Sequence, residues 1–463
     1  MESTQYSDRA TFRVIVLRQG GSELLLVPAA GGFALPVVVI PRWQRVAENM
    51  VGAIKNEWSE EAICLFNPDL GVPTSSHYYQ VMECSGPATS QSRGEWIPVS
   101  SLSERTFADP TDQVAVLHTL SECQAHPGVG ESGPFAKLGW FRDLQEWIEE
   151  AIGPLGFHLT GSFSQLNAGP SFSLVRFATS GPAVWFKAVG EPNRREVPIT
   201  LKLAELFPRY LPSVLAARPE WNGWLTMEVD GANLSETQGT GHWNVAASTL
   251  AKLQVESTDK IEALINSGAR DLRASGLLKL VHPLLDVTNQ LMENQTNVTP
   301  RVLSRNELTL LEEQIVEALS LFADLKIPDA LGHLDLNPAN VIVSDGRCVF
   351  LDWAEAYVGN PLFSFEYLLE HCRRRTGEAA IAESDLAGIY AAPWQSLVSP
   401  ESLNQALSLT PMLAVFSYAV ATDTWNDRAR LQDPNVAGYL RSLVRRMHRE
   451  ASRLKNRGAL WPN

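Results

Sequence analysis

The amino-acid sequence predicts an α+β protein with more than one domain, and three observations carry this prediction. The chain has 463 residues, which is too long for one ordinary hydrophobic core. Strand-like and helix-like segments alternate up to about residue 231. From Trp243 onward, apolar residues recur three and four positions apart, which is typical of helices. Because hydrophobic residues make up 45% and charged residues 19% of the chain, we expect packed globular domains.

Residues 1–122 form the first predicted domain. A helical stretch from about Arg45 to Cys64 lies between strand-like runs, which are TFRVIVLR and ELLLVP before it and YYQVMEC and EWIPV after it. This order predicts an α+β domain. Residues 123–139 contain the Gly-, Pro- and Ser-rich passage HPGVGESGP, which is typical of a linker.

Residues 140–231 predict a small sheet with one helix, and residues 232–463 predict a mostly helical domain. The strand-like runs of the small sheet are HLTGSFSQL, FSLVRFAT, AVWFKAV and WLTMEV, and its helix is RREVPITLKLAELF. The helical part includes WNVAASTLAKLQ and ELTLLEEQIVEALSLFADL. We expect only one hairpin there, VIVSDGRCVFLD, closed by the turn Asp345-Gly346.

Charge and cysteine usage exclude several function classes. A net charge of -14 disfavours binding to nucleic acid or to an anionic membrane surface. No apolar run approaches the roughly 20 residues of a membrane-spanning helix, and no secretory signal precedes the first strand. The five cysteines lack the C-x-x-C spacing of zinc or redox sites, so we expect reduced thiols in a cytoplasmic protein. The sequence carries no signal for an oligomeric state. A basic segment near the C-terminus, YLRSLVRRMHREASRLKNR, is expected to be a helix packed on the body of the protein.

The stretch GHLDLNPANVIVSDGRCVFLDWAEA, residues 332–356, carries the main functional signal. Asp335 and Asn340 are five residues apart, and Pro338 between them prevents a regular helix. The following hairpin is expected to return Asp352 to the neighbourhood of Asn340. Three oxygen-bearing side chains could then surround one hard cation. The alternative is that the polar residues only cap turns.

Phosphoryl transfer needs such residues: an Asp for the attacking hydroxyl, and an Asn with a second Asp for magnesium. The stretch resembles the aminoglycoside phosphotransferase and choline kinase branch of the protein-kinase-like superfamily, whose pattern is H-G-D-x-x-x-x-N followed by I-D-W. Here His333, Asp335, Asn340 and Asp352 occupy the matching positions. The resemblance implies a bilobal fold, with residues 140–231 as a small β-sheet lobe and residues 232–463 as a helical lobe.

The resemblance also implies cofactors and roles. ATP and Mg²⁺ would be bound, with Asn340 and Asp352 as metal ligands. Asp335 would be the catalytic base and His333 would brace its loop. The γ-phosphoryl group would pass to a hydroxyl of a small-molecule acceptor, such as a metabolite or an aminoglycoside-like compound. The identity of that acceptor and the choice between ATP and GTP stay open.

Further ATP-binding residues are implied upstream. Lys187 in the strand AVWFKAV would contact the α- and β-phosphates, unless it only extends from an edge strand. Its anionic partner would be Glu196, with Glu191 and Glu205 as alternatives, because helix rotation decides which carboxylate faces the sheet. Two other elements of the site are the turn at Gly169 and Ser171 over the phosphates, and the backbone from Met227 to Val229 beside adenine.

The sequence departs from the family pattern at four positions. Asn360 and Ser364 stand where the family usually has acids, so the bracing of the loop is in question. Asn337 replaces a frequent His, and Leu334 replaces a Gly.

A second resemblance concerns the N-terminal domain. The stretch RWQRVAENMVGAIKNEWSEEAICLF resembles a Nudix box, with Glu48, Glu57, Glu60 and Glu61 at matching positions. Glu57 and Glu61 would share one helical face, as metal-binding carboxylates must. Departures from the box stand at Arg42, Asn56 and Ile63. They favour a Nudix-like α/β/α domain without hydrolase activity that serves docking or ligand sensing. The alternative for the stretch is an ordinary amphipathic helix.

Three functions therefore remain for the whole chain. The first is a small-molecule kinase. The second is a pseudokinase or nucleotide-binding scaffold that works with the Nudix-like domain. The third, least favoured, is diphosphate hydrolysis by the N-terminal domain.

Overall fold

A seven-stranded sheet forms the N-terminal part of the chain. The computed structural model describes residues 8–68, 77–84, 93–125, 133–344, 346–377 and 385–456. The strands of this sheet are β1 Arg9–Arg18, β2 Glu23–Ala29, β3 Gly32–Ala34, β4 Val37–Pro41, β5 Ala62–Cys64, β6 Tyr78–Cys84 and β7 Glu95–Pro98. Their order is β3-β2-β1-β6-β5, with β4 paired to β1 and β7 paired to β2. The β1/β6 pair is parallel, whereas the other pairs are antiparallel.

Two helices cover opposite faces of this sheet. Helix α1, Val46–Trp58, packs on one core cluster, and helix α2, Pro110–Ala125, packs on the other. The predicted helix to Cys64 was too long. Helix α1 ends at Trp58 because Ser59 adopts a left-handed conformation with φ 60°, and the apolar residues after it form strand β5. Helix α2 was not predicted.

A five-stranded antiparallel sheet follows, as expected for a small β-lobe. Its strands are β8 Leu159–Gly169, β9 Phe172–Thr179, β10 Val184–Ala188, β11 Val214–Arg218 and β12 Gly223–Met227. The order is β11-β12-β10-β9-β8, so β10 is the central strand. Helix α3, Trp140–Ile152, precedes the sheet, and helix α4, Glu196–Leu206, follows β10. Strand β11 and helix α3 were not predicted.

One face of the five-stranded sheet is packed against the N-terminal part. Val175, Phe177 and Phe186 of this sheet belong to the same buried cluster as Ile15 of β1 and Phe141 of α3. The two predicted segments therefore share a core, and both belong to one compact unit of residues 1–197 and 213–228.

The pairing between these two sheets includes a buried side-chain amide. The Gln165 Oε1 atom accepts a hydrogen bond from the Cys64 N–H at 2.8 Å, and its Nε2 atom donates to the Cys64 carbonyl at 3.0 Å. Gln165 is 1% exposed. The amide thus satisfies both backbone groups of one β5 residue, which a buried backbone requires.

The second compact unit, residues 198–212 and 229–463, is mainly helical. Helix α8, Arg305–Asp324, begins after Ser304, because the side chains of Ser304 and Glu307 each accept a hydrogen bond from the backbone N–H of the other. The helices are α5 Gly241–Ser257, α6 Ile261–Asn266, α7 Ala274–Glu293, α8 Arg305–Asp324, α9 Leu362–Thr376, α10 Leu386–Ala391, α11 Pro400–Ala421 and α12 Pro434–Asn456. The core of the unit contains the buried side chains of Trp243, Trp394 and Phe365.

Short strands outside the predicted hairpin also contribute to this unit, and they were not predicted. The strands of the unit are β13 Ala232–Asn233, β14 Arg270–Leu272, β15 Ala330–His333, β16 Val341–Ser344, β17 Arg347–Phe350 and β18 Ala356–Gly359. They form two three-stranded sheets, in the orders β13-β16-β17 and β14-β18-β15. Runs of three or four buried apolar residues do not distinguish strand from helix, and this explains the omission.

The basic C-terminal helix packs on the core of its unit. Helix α12 buries Leu440, Val444 and Met447, while Arg445 Nε donates to the Arg301 carbonyl at 2.8 Å. All five cysteines are free. Among the described residues, no helix combines the length and apolar character needed to cross a bilayer.

Candidate functional site

The loop after β15 holds Asp335 and Asn340 against each other. The Asn340 Nδ2 atom donates to the Asp335 carbonyl at 3.0 Å and to its Oδ2 atom at 3.3 Å. Pro338 begins a single turn of 3₁₀ helix, and Asn337 caps this turn by accepting from the Ala339 N–H at 2.7 Å. Asn337 therefore has a capping role, while Asn340 orients a carboxylate. With its amide nitrogen bonded to Asp335, Asn340 has its Oδ1 atom on the opposite side of the amide.

His333 ties this loop to the end of the hairpin. Its Nδ1 atom accepts from the Asp335 N–H at 3.2 Å, so the proton of the ring is on Nε2, which donates to the Leu351 carbonyl at 3.0 Å. The ring is 0% exposed and lies 4.8 Å, between centroids, from Trp353. The two hydrogen bonds of the His333 ring fix the direction in which the chain leaves β15.

The hairpin returns Asp352 to Asn340, as predicted. Val341 of β16 pairs with Phe350 of β17, and the Leu351 N–H donates to the Asn340 carbonyl at 2.8 Å. Asp352 then adopts a left-handed conformation with φ 62°, which turns the chain out of the strand, and its side chain is exposed. Of the predicted turn, Asp345 lies outside the described residues. Together Asn340 and Asp352 offer the amide and carboxylate oxygens that Mg²⁺ prefers.

Ser364 and Asn360, two of the four departures from the family pattern, brace the same loop. The Ser364 Oγ atom accepts from the His333 N–H at 2.8 Å and lies 3.1 Å from the Tyr357 hydroxyl. Tyr357 in turn donates to the Asn360 carbonyl at 2.8 Å, and the Asn360 side chain accepts from the Leu362 N–H at 3.0 Å. Neutral hydrogen-bonding groups therefore hold the strand that leads into the loop.

Gly332 and Tyr357 are a close pair that the sequence did not reveal. A Cβ atom at Gly332 would lie 1.9 Å from the Tyr357 ring, so the tyrosine packs directly on the backbone of β15. Only a glycine allows this approach next to His333. The sequence signal for this close approach was a Gly that follows Ala330 and Leu331 and precedes His333.

Helix α9 places two further side chains near Asp335. Tyr367 and His371 are one helical turn apart, with ring centroids 5.2 Å apart. Burial raises the pKa of Tyr367 to about 12, and the Asp335 carboxylate adds to this. Burial and Arg374 lower the pKa of His371, while Asp335 opposes them. Sequence reasoning missed both residues, although the spacing Y-x-x-x-H was visible.

In the first unit, Lys187 pairs with Glu196. Lys187 lies on the central strand β10, and its Nζ atom is 2.5 Å from the Glu196 Oε1 atom. The Glu196 side chain is buried, and the lysine is also 5.7 Å from the Trp224 ring centroid. The edge-strand alternative for Lys187 is therefore wrong.

The two rival carboxylates bind other partners. Glu191 lies 3.7 Å from Arg194, and Glu205 lies 2.6 Å from Lys202. Both carboxylates are largely exposed. Glu196 is thus the acid that the fold brings to Lys187.

The predicted phosphate turn is a tight hairpin between β8 and β9. Gly169 pairs with Phe172, leaving Pro170 and Ser171 as the two turn residues. A Cβ atom at Gly190 would lie 2.5 Å from the Ser171 Oγ atom, so the turn packs against a second glycine. Gly190 was not identified from the sequence.

The predicted adenine-contacting segment lies at a boundary between the compact units. Met227 ends β12, and its N–H donates to the Ser213 carbonyl at 2.9 Å. Glu228, the last residue of the first unit, forms an ion pair with Arg176 at 2.6 Å. Val229 is the first residue of the following part of the second unit.

The expectation that Glu57 and Glu61 of the N-terminal domain share a helical face was wrong. Helix α1 ends before Glu60 and Glu61, so Glu57 and Glu61 do not share a helical face. Glu60 is buried and accepts from the Trp96 Nε1 atom at 3.0 Å, while Glu61 pairs with Lys55 at the surface. Within the part of the chain that the structure describes, no group of three or more His, Cys, Asp or Glu side chains could hold a metal ion.

One protein-family model matches the part of the chain that contains Asp335 and Asn340. Residues 208–395 match the model of the APH family, the phosphotransferase enzyme family. The match includes His333, Asp335, Asn340 and Asp352. It supports a phosphotransferase function for this region. No curated protein matches the chain.

Several solved structures, which are named as kinases or phosphotransferases of small molecules, also resemble the chain. A macrolide 2'-phosphotransferase from Brachybacterium faecium is 16% identical, with 64% of this chain and 98% of that chain covered and a TM-score of 0.45. Choline kinase from Streptococcus pneumoniae is 14% identical, with 66% and 99% covered and a TM-score of 0.43. An ethanolamine kinase from Plasmodium vivax is 12% identical, with 77% and 93% covered and a TM-score of 0.47.

Proposed function

We propose that this protein is an ATP- and Mg²⁺-dependent phosphotransferase that phosphorylates a hydroxyl of a small-molecule acceptor. The observation that carries the proposal is the pair of hydrogen bonds from the Asn340 amide to Asp335, with Asp352 returned beside it by the hairpin. A base and two cation ligands are thereby held by one short segment, which is what phosphoryl transfer requires. We infer a protein-kinase-like bilobal fold for residues 140–463.

In this proposal, Asp335 orients the acceptor hydroxyl and takes its proton. The Asn340 amide limits the rotation of the carboxylate, and His333 fixes the backbone through its two ring contacts. His333 acts through the loop and is a positioning residue. Such fixing lowers the entropic cost of bringing base and acceptor together.

Nucleotide binding would involve the residues that the family resemblance implies. When bound, ATP supplies the phosphoryl group, and Mg²⁺ neutralises charge on its phosphates. Asn340 and Asp352 would hold the metal through oxygen atoms. Lys187, oriented by Glu196, would bind phosphate oxygens. The remaining contacts that we propose are those of the turn residues Gly169 and Ser171 with phosphates, and those of the backbone at Met227 and Val229 with adenine.

Replacement of the base tests this function. Purified protein is assayed for ADP release with ATP, Mg²⁺ and a panel of choline, ethanolamine, macrolides and aminoglycosides, and again with GTP. We expect Asp335→Asn to reduce turnover by about a thousandfold or more while nucleotide affinity changes by less than about threefold. Asp286→Asn, at an exposed helical position, is the matched control. Unchanged turnover in the Asp335 variant would contradict the proposal.

The same assay distinguishes a nucleotide-binding scaffold. A scaffold binds ATP but releases no ADP with any acceptor in the panel, and its Asp335 variant behaves like the wild type. For the N-terminal domain we propose a docking or ligand-sensing role on a Nudix-like fold, because Glu60 and Glu61 form contacts with Trp96 and Lys55 of the same chain.

A further inference from the structure

A cavity of about 290 Å³ lies within the first compact unit, where the N-terminal sheet meets β8. Its walls include Phe12, Tyr78, Gln80 and Cys64 of the N-terminal domain, and Ala168 of the five-stranded sheet. Ligand pockets typically have volumes of about 300–1,000 Å³. The cavity is therefore large enough for a compound of one or two rings and too small for a nucleoside diphosphate.

The described walls of this cavity are partly aromatic and uncharged. The rings of Phe12 and Tyr78 are 5.4 Å apart, with an angle of 34° between their planes. None of the described residues that line the cavity carries a charged side chain. A phosphate or carboxylate would lose its hydration there without gaining a partner, so an uncharged ligand is favoured.

Gln80 provides a hydrogen-bond acceptor. Its Nε2 atom donates to the Phe66 carbonyl at 3.1 Å and to the Val81 carbonyl at 2.9 Å, which uses both hydrogens of the amide. The Oε1 atom is therefore the acceptor that this side chain offers, and it suits a ligand with an N–H or O–H donor. Burial raises the pKa of Cys64, so its protonated thiol contributes apolar surface instead of a nucleophile.

Ala168 connects the cavity to the predicted phosphate turn. Ala168 pairs with Ser173 across the β8/β9 hairpin and directly precedes Gly169. Three residues earlier on the same strand, Gln165 binds both backbone groups of Cys64, another cavity residue. A ligand packed on Ala168 would thus restrict the end of the strand from which the turn extends.

We propose that this cavity binds a neutral, planar ring compound with an N–H donor, and that binding orders the turn at residues 169–171. The ring lies against Phe12 and Tyr78, and the donor faces Gln80. The proposal extends the function of the chain to regulation by a second small molecule. Its test needs no nucleotide, so its outcome is independent of the proposed phosphotransferase activity.

Matched pairs of compounds test the chemical class. The full chain is titrated calorimetrically with nicotinamide, uracil and indole, and with their charged counterparts nicotinate, orotate and indole-2-carboxylate. We expect saturable binding of at least one neutral compound and binding about tenfold weaker or worse for its carboxylate partner. Absence of saturable binding by all three neutral compounds, or equal binding of the carboxylates, would overturn the proposal.

Two variants locate the site. Ala168→Met fills the cavity, and Tyr78→Ala removes one wall at a half-exposed position that folding tolerates more easily. Both should weaken binding by about tenfold, whereas Val39→Ala, an exposed control outside the lining, should leave it within about twofold. Unchanged affinity in both cavity variants would place the ligand elsewhere and refute the site.

Hydrogen exchange tests the connection to the turn. On saturation with the bound neutral compound, amides of residues 163–175 should exchange about threefold or more slowly, while those of α12 should not change. Equal exchange rates in the turn with and without compound would refute the ordering of the turn.

Discussion

Replacing Ser364 by Ala removes a buried hydroxyl that holds the strand before Asp335. Ser364 is 0% exposed, and its Oγ atom accepts from the His333 N–H at 2.8 Å. Tyr357 uses its own proton on the Asn360 carbonyl, so the Ser364 hydroxyl donates to the Tyr357 oxygen. The substitution removes one acceptor and one donor without adding bulk.

The expected cost follows from these two contacts. The His333 N–H becomes a buried donor without a partner, which costs about 1–3 kcal/mol. The Tyr357 oxygen keeps the Ser364 N–H at 3.2 Å, so its loss is smaller. We expect destabilisation of about 2 kcal/mol, which lowers the Tm of the second unit by about 4–8 °C.

Calorimetry and steady-state kinetics measure the two consequences. Because the freed peptide carries His333 and leads to Asp335, we expect kcat to fall about tenfold while the KM for ATP stays within about twofold. Ser320→Ala, on the exposed side of α8, is the control and should change stability by less than about 0.5 kcal/mol.

Two results would refute this reasoning. Stability within about 0.5 kcal/mol of the wild type would mean that the buried hydroxyl contributes nothing net. Reduced stability with an unchanged kcat would mean that Ser364 supports the fold but does not position the loop.

Three other substitutions test buried contacts in both units. Glu196→Gln removes the negative charge beside Lys187, so the KM for ATP should rise about tenfold in the transfer assay. Burial raises the pKa of Glu366 to about 7, so the folded chain holds this proton more tightly than the unfolded chain. Wild-type stability should therefore fall by about 3 kcal/mol between pH 4.5 and 7, and Glu366→Gln should lose this slope in urea denaturation. Gln165→Ala removes the hydrogen-bond partners of two buried Cys64 backbone groups and should cost about 2–4 kcal/mol by the same method.

Each of these substitutions has a control variant or a result that would contradict its prediction. Glu205→Gln, which affects only a surface pair with Lys202, should keep the KM for ATP of the wild type. An unchanged pH slope in the Glu366 variant would assign the titration to another group. Asn167→Ala, exposed on the same strand as Gln165, should leave stability nearly unchanged, and a loss as large as that of the Gln165 variant would contradict the role of the buried amide.

The loop at residues 333–352 was predictable because its determinants are local. Pro338 prevents a helix, the five-residue spacing sets Asp335 beside Asn340, and two short apolar runs form the hairpin that returns Asp352. The choice of Glu196 over its rivals was not local, since it depends on the rotation of α4 against the central strand. The family pattern supplied that choice before the structure did.

The N-terminal helix shows where local reasoning failed. The acidic stretch continues the helical pattern to Cys64. The chain nevertheless turns at Ser59, and the apolar residues after the turn form strand β5. A three-residue strand gains its stability from pairing with β6 and from the Gln165 amide, partners that lie far away in the sequence. The shared helical face predicted for Glu57 and Glu61 does not form for this reason.

The sequence by itself determined the mixed α+β class, the Asp335, Asn340 and Asp352 constellation and the strand position of Lys187, because spacing and periodicity act over a few residues. Only the tertiary structure decided that Ser364 and Tyr357 hold the loop, that the five-stranded sheet shares a core with the N-terminal domain, and that a neutral cavity lies beside Ala168. These features depend on side chains brought together from distant segments, whose burial and pairing arise only when the whole unit packs.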